Sequence, residues 1–302
     1  VNEPAPSTPA ASRLQCQQCG AGLRLLRYDK TVVCPYCDSS NVVSRPPQAG
    51  IPSPAFVVPF ARPEGEVHAL VARWGQQLPW YVPEGFKRLR VEELKPVYVP
   101  AYLFAGEVDA RWSASVGYRY VDTRGNKVRR GEEWREVLGT LRMRLANILV
   151  SASHRLTNKD LARVEPYDFG RIARYSDAAI AGWPAEEAAR SPRDTDEELD
   201  GEIEEQLQGR VANLVPGEMK KAPSVSWKLH DEKLDLLLVP VWSMLVRYSP
   251  TGAPVRVLVN GQTGKVWGEA PVSKVKVALA VLAGLGFALG WFALRKLGVL
   301  HR

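Results

Sequence analysis

The sequence predicts an α+β chain in three parts: a small N-terminal ribbon built on cysteines, a β-rich body with a helical insert, and one C-terminal transmembrane helix. Three stretches carry that prediction. Cys16-Gln17-Gln18-Cys19 is answered by Cys34-Pro35-Tyr36-Cys37, two C-x-x-C pairs with fourteen residues between them. Apolar residues alternate with basic ones in the middle of the chain, as in Leu141-Arg142-Met143-Arg144-Leu145. Val277 to Leu294 is a run of eighteen residues without a charge.

The chain begins with a Pro-, Ala- and Ser-rich tail, residues 1–13, which lacks the apolar content to form a core and is expected to be disordered. The ribbon follows over residues 14–44. Cys16, Cys19, Cys34 and Cys37 are the only cysteines in the chain. Each C-x-x-C pair places two thiolates on one metal, and two pairs complete a tetrahedral S4 site. Gly20 suits the turn after the first pair, and Pro35 stiffens the second. One structural Zn2+ is the expected cofactor. Four sulfur ligands close its coordination sphere and leave no position for a catalytic water. A rubredoxin-like iron site fits the same geometry. Two disulfides would use the same residues but need an oxidising compartment.

Residues 45–55, with Pro46, Pro47, Pro52 and Pro54, read as an extended linker that lets the ribbon move. The body spans 56–272. Phe56 to Phe60 reads as an edge strand, because Pro59 cannot donate to a ladder. Pro63 to Leu78 carries Val67, Leu70, Val71 and Trp74 at helical spacing. From Val97 the pattern turns β. Val108, Ala110, Trp112, Ala114 and Val116 share one face, and Asp122 to Asn126 closes a hairpin. The result is a sheet with one dry face and one wet, basic face. Tyr98-Val99-Pro100-Ala101-Tyr102 is echoed by Leu238-Val239-Pro240-Val241-Trp242. The echo suggests two related β units, about 56–156 and 225–272, around a helical insert over 157–216. In that insert Asn158 is a candidate cap, Trp183 to Glu187 opens a helical stretch, and Asp194 to Leu214 is an amphipathic helix with Leu199, Ile203, Leu207, Val211 and Leu214 about one turn apart. Ser249 to Gly252 and Asn260 to Gly264 are turns between the last strands.

The uncharged run 277–294 lies within a helix expected over 275–296. Lys274 and Lys276 flank it on one side, Arg295 and Lys296 on the other. Its length is near the lower limit for crossing a bilayer core, and the flanking stems snorkel. Trp291 suits one interface. Eight residues follow Leu294, which predicts a tail anchor. Reduced thiolates place the large N-terminal part in the cytoplasm. Gly286 and Gly290 form a GxxxG pair that allows close helix packing, and with it a homo-oligomer.

The net charge of the 302-residue chain is +7, concentrated in residues 111–163, while Glu186 to Glu205 is acidic. A basic middle suits phosphates, nucleic acid or an anionic lipid surface, and equally a solvated sheet face. No catalytic pattern is present. His68, His154, His230 and His301 are scattered, and Ser151, Ser153 and His154 lack the glycines of a nucleophile elbow. No G-x-x-x-x-G-K-[ST] loop exists to hold a nucleoside triphosphate.

Three features together resemble a bacterial family of membrane-associated zinc-ribbon proteins. They are the CxxCG…CPYC ribbon, the Tyr98-Val99-Pro100 strand, and Val259 to Pro271 with its Asn-Gly-Gln-Thr-Gly turn ahead of the terminal helix. Members are often labelled transcription-factor-IIB-type zinc-ribbon proteins or primosomal helicase-like proteins. This chain departs from the pattern at Asp38, where a glycine usually stands. The missing phosphate loop keeps the helicase label from carrying over. What the resemblance implies is a membrane-bound adaptor working with membrane-stress or SPFH-type scaffold proteins.

The expected function is therefore a non-catalytic, membrane-anchored adaptor that binds protein partners. The alternative is a tethered nucleic-acid-binding protein that uses Arg24, Arg27, Tyr28 and Lys30 between the knuckles.

Overall fold

The computed structural model describes residues 12–25, 34, 36, 39, 42–44, 50–87, 94–122, 129–217, 219–246 and 255–296. Its strands are β1 (Ser12–Cys16), β2 (Gly22–Leu25), β3 (Val42–Ser44), β4 (Phe56–Val57), β5 (Lys95–Asp122), β6 (Arg129–Ser151), β7 (Ala173–Arg174), β8 (Ala185–Glu186), β9 (Met219–Lys220), β10 (Ser224–Val246), β11 (Val255–Asn260) and β12 (Val266–Gly268). Its α-helices are α1 (Glu64–Gln77), α2 (Glu84–Lys87), α3 (Asn158–Val164), α4 (Asp196–Leu214) and α5 (Lys274–Lys296).

β5 is the axis of the sheet. It pairs antiparallel with β10 along one edge and with β6 along the other. Side chains alternate faces along a strand, so β5 has two different surfaces. Val97, Val99 and Ala101 join Val239, Val241, Leu156, Leu161 and the ribbon residues Cys16, Leu23, Tyr36 in one core. On the other face, Phe104, Val108 and Ala110 pack under Leu199, Ile203 and Leu207 of α4, and Val116 packs under Val211. The i, i+4 spacing of those α4 residues sets this stripe. Burying each is worth about 1.5–3 kcal/mol over leaving it exposed. A third cluster places Val67 and Val71 of α1 and Phe86 of α2 against Trp242, Met244, Val257 and Val259.

The two echoed segments lie side by side. Pro100 stands opposite Leu238, and Pro240 opposite Tyr98, so both belong to one sheet. Proline in a central strand removes a ladder donor, and the neighbours show why these two are tolerated. Tyr98 N–H donates to Pro184 O of the β8 segment at 2.9 Å, while Pro100 O accepts from Ala152 beyond the end of β6. Pro100 therefore sits where β8 hands over to β6. Leu238 O accepts from Val58 and Pro240 O from Gly261, so Pro240 sits where β4 hands over to β11. The carbonyls beside the two rings already have donors: Ala152 O accepts from Ala189 N–H, and Gly261 O from Ala61 and Arg62 N–H, each at 2.9 Å.

The register of the long strands shifts on both sides of β5 around Gly106. β6 is irregular between the partners of Phe104 and Gly106, and there Asn147 takes φ 63°. β10 is irregular between His230 and Lys233, and there Asp231 takes φ 51°. Bulges at one level on both sides of a strand sharpen its local twist. Further out, Trp112 covers its cross-strand partner Gly139 and Tyr120 covers Gly131, so aromatic rings replace the missing side chains.

Several local expectations change. Residues 157–216 hold α3 and α4 but also β7, β8 and three 3-10 turns, so the insert is mixed rather than helical throughout. Ala185 and Glu186 are extended because Leu23 on one side and Tyr98 on the other recruit them into the sheet. The cap of α3 is Thr157, whose side chain accepts from Asp160 N–H in a capping box. Asn158 instead accepts from Ser151 N–H at 2.9 Å. β4 is not an edge, since β7 pairs on its outer side. The end of the linker is bonded to the body, with Ala55 N–H donating to Leu236 O at 2.7 Å. The turns at 123–126 and 249–252 and most of the tail lie outside the described residues.

Candidate metal centre

β1 and β2 form a hairpin, and β3 pairs on the outer side of β1. Cys16 ends β1. Its N–H donates to Ala21 O at 2.9 Å, and Gly20 N–H returns to Cys16 O at 2.8 Å. Gly20 closes that knuckle at φ 74°, a left-handed conformation that glycine adopts without cost. In the second knuckle Cys34 N–H donates to Ser39 O at 2.9 Å.

These turns bring three thiols together. The sulfur atoms of Cys16, Cys19 and Cys34 lie within 4.8 Å of one another, and those of Cys19 and Cys34 are 3.5 Å apart. Zinc–sulfur bonds of about 2.3 Å in a tetrahedron put sulfurs about 3.8 Å apart, so the donor set and spacing fit one metal ion. Cys19 and Cys34 are not bridged to one another, because 3.5 Å exceeds a disulfide bond of about 2.05 Å. Cys16 and Cys34 are buried and Cys19 is partly so. The fourth expected ligand, Cys37, lies outside the described residues.

The ribbon is not held by a tether alone. Leu23 and Arg24 of β2 pair with Glu186 and Ala185 of β8, and Glu187 N–H donates to Gly22 O. Tyr36, between the cysteines of the second knuckle, is fully buried and donates its hydroxyl to Glu186. Glu186 also accepts from Ser153 Oγ at 2.8 Å and from His154 N–H at 3.2 Å. Ser153 Oγ in turn accepts from the N–H groups of Arg155 and Leu156. Burial pushes the Glu186 carboxyl up to about 7, against the hydrogen bonds from Tyr36 and Ser153 that pull it down. Burial, followed by the adjacent Glu186, raises the Tyr36 phenol well above its usual range.

This carboxyl has a consequence for stability. Glu186 moves from 4.5 to about 7 on folding, so the folded chain holds the extra proton between those values. Stability is therefore greatest below that window, falls as pH rises through it, and levels off above about 7. The full swing is about 3 kcal/mol at 1.36 kcal/mol per unit. Burial also raises Glu165 to about 7, so a substitution must isolate Glu186. Denaturant unfolding of metal-loaded wild type and Glu186→Gln, between pH 5.5 and 7.5, is expected to show a shallower decline in the variant. Equal slopes would assign the decline elsewhere.

The other singled-out residues are distributed as follows. Arg24 lies in β2, while Arg27, Tyr28 and Lys30 lie outside the described residues. Ser151 and Ser153 are buried, and their hydroxyls donate to Leu156 O and Glu186. The His154 side chain is exposed, and His230 lies 3.3 Å from Asp109. Gly286 and Gly290 sit on α5 with open space where a side chain would be. α5 is long and apolar enough to cross a membrane, and none of the Lys274–Phe292 window is buried. Tyr36 and Glu186 were missed because 150 residues separate them. The tyrosine inside a cysteine knuckle was the only local hint.

The basic stretch contributes an open groove of about 750 Å3 on the uncovered face of β6, β5 and β10. Arg111, Arg142, Lys228 and His230 line it with Asp109, Thr140 and Ser226. Arg142 grips Asp109 with two bonds, at 2.5 and 2.7 Å, and keeps its carboxyl below the usual range.

The chain is similar to an uncharacterized protein, YdjG, of Bacillus subtilis (strain 168), with 26% identity over 234 residues. The match covers 75% of this chain and 66% of YdjG, just under two thirds of its length. No family model matches the chain. No solved structure matches it.

Proposed function

We propose that this chain is a non-catalytic, membrane-anchored adaptor. One structural zinc ion is held by Cys16, Cys19, Cys34 and Cys37, α5 spans a membrane, and the body faces the cytoplasm, where it binds protein partners. The observation that carries this reading is the inward packing of the thiol cluster. Cys16 and Cys34 have no exposed surface, and they share a core with Val99 and Val239. An ion there would hold the ribbon to the body, and with Cys37 as fourth ligand it would keep no coordination position for a substrate. α5 supports the anchor, since its apolar side chains have no cover from the rest of the chain. The SPFH-type scaffold partner rests on the family resemblance of the ribbon and the Asn-Gly-Gln-Thr-Gly turn.

A second reading is nucleic-acid binding through Arg24, Arg27, Tyr28 and Lys30 between the knuckles, to which the groove with Arg111, Arg142 and Lys228 adds further basic surface. Deleting the ribbon would open the shared core, so the intact chain is the material to test. Full-length protein purified from membranes without added metal is expected to carry one zinc per chain and a stoichiometric protein partner, identified by mass spectrometry. Nuclease-sensitive nucleic acid in place of that partner, with binding that weakens steeply with salt, would favour the second reading.

A further inference from the structure

The turn between α1 and α2 is joined to the first turn of α5 by more bonds than covalent continuity requires. Lys276 Nζ donates to Trp80 O at 2.9 Å, to Val82 O at 2.9 Å and to Glu84 Oε1 at 2.8 Å. Ser273 N–H donates to Tyr81 O at 2.8 Å. An ammonium has three protons to give, and here it makes three bonds, two to this turn and one to Glu84 at the start of α2. Lys276 is thus unavailable to reach toward lipid headgroups, and it fixes the depth at which the apolar run begins.

Trp80 and Tyr81 project from the turn. They are 58% and 37% exposed and meet edge to face, with ring centroids 5.8 Å apart. Their neighbours Val82 and Phe86 are fully buried against the body, which leaves the backbone little freedom to withdraw the rings. Val272 and Val275, both more than half exposed, extend the apolar surface beside the start of α5. Tryptophan and tyrosine concentrate at the membrane–water interface because each ring has an apolar body and a polar edge.

We propose that Trp80 and Tyr81 form a second membrane contact, lying in the headgroup layer of the bilayer that α5 enters and holding the body at a fixed orientation to it. This rests on the reading of α5 as a membrane-spanning helix. The occupant is the lipid surface, because the turn is bonded to the residues at which α5 leaves the body. A second copy of the chain on the same rings is an outcome of the test.

The full chain is reconstituted in vesicles of phosphatidylcholine brominated near the headgroup end of its acyl chains, which quenches tryptophan by contact. Wild type, Trp291→Phe, and Trp80→Phe/Trp291→Phe are compared. The difference between the first two reports α5 in the bilayer. The difference between the last two reports the turn. Both differences are expected, with most quenching that survives Trp291→Phe lost on removing Trp80. Lys276→Met, in the Trp291→Phe background, is expected to weaken Trp80 quenching because it releases the turn. Unchanged quenching on removing Trp80, with the Trp291 difference intact, overturns the second contact and leaves the anchor standing. The same result with Trp80 emission altered by chain concentration assigns the rings to a contact between copies, and also overturns the proposal. Loss of both differences rejects the anchor and the contact together.

Discussion

Asn260→Ala is expected to destabilise the body by about 3–5 kcal/mol, since each buried polar group left without a partner costs about 1–3 kcal/mol. Asn260 has no exposed surface. Its Nδ2 donates to Val164 O at 2.9 Å and Pro166 O at 3.1 Å, and its Oδ1 accepts from Gln262 and Thr263 N–H, each at 2.9 Å. Alanine would strand Val164 O and Gln262 N–H in the interior and remove the partner of Pro166 O and Thr263 N–H at its partly buried margin. Gln262 repeats the arrangement next door, accepting from Asp168 N–H and donating to Asp168 O. The glycines of this turn are equally committed. A Cβ on Gly261 would lie 2.5 Å from the Phe60 ring, and Gly264 holds φ 81°. The Asn-Gly-Gln-Thr-Gly stretch is thus a clamp that ties the end of β11 to the loop after α3. Asn260→Asp separates the two halves of the clamp. It keeps an acceptor for the amides but turns a second oxygen toward the carbonyls, so it too is expected to be strongly destabilising. Denaturant unfolding of the variants against wild type measures both effects. A loss for Asn260→Ala below about 1 kcal/mol would mean water replaces the side chain.

Cys34→Ser is expected to remove the metal and with it the docked ribbon. Structural zinc sites contribute about 10–16 kcal/mol of apparent binding free energy near neutral pH, as much as the whole stability margin of about 5–15 kcal/mol of a typical domain. A serine hydroxyl does not supply the thiolate that the ion needs. The loss should spread into the body. Cys34 and Tyr36 share the core that holds Val99 and Val239, and Tyr36 caps the buried Glu186. Metal content is expected to fall from one per chain to near zero, with new protease cleavage within residues 12–44. A chelator should do the same to wild type, reversed by adding metal. Visible absorption separates the two metals, because d10 zinc is colourless and a ferric S4 site is not. Full retention of the ribbon in metal-free Cys34→Ser would show that packing alone holds it.

Some of this was legible from short spacings. The C-x-x-C pairs located Cys16, Cys19 and Cys34, since ligand spacing within a knuckle is a property of one tight turn. The alternation from Val108 to Val116 identified the dry face, and it is the one α4 covers. Of Leu199, Ile203, Leu207, Val211 and Leu214, spaced about one turn apart, the first four form the buried stripe of α4, because a helix repeats every 3.6 residues, while Leu214 at the helix end is exposed. The uncharged run marked α5. Each of these signals is written within about twenty residues, so composition and period carry it.

What the sequence alone determined, then, were the thiol pairs, the two-faced strands, the α4 stripe and the apolar terminal helix. Tertiary structure alone decided how they meet. Ala185 and Glu186 have no local reason to be extended; β2 and β5 supply it from either side. Pro100 and Pro240 stay in central strands only because neighbouring strands change over beside them. The Tyr36–Glu186 bond, the four bonds of Asn260 and the grip of Lys276 on the Trp80 turn each join residues far apart in the chain. Such contacts depend on which surfaces are left to pack once the local elements exist, and no window along the sequence contains both partners.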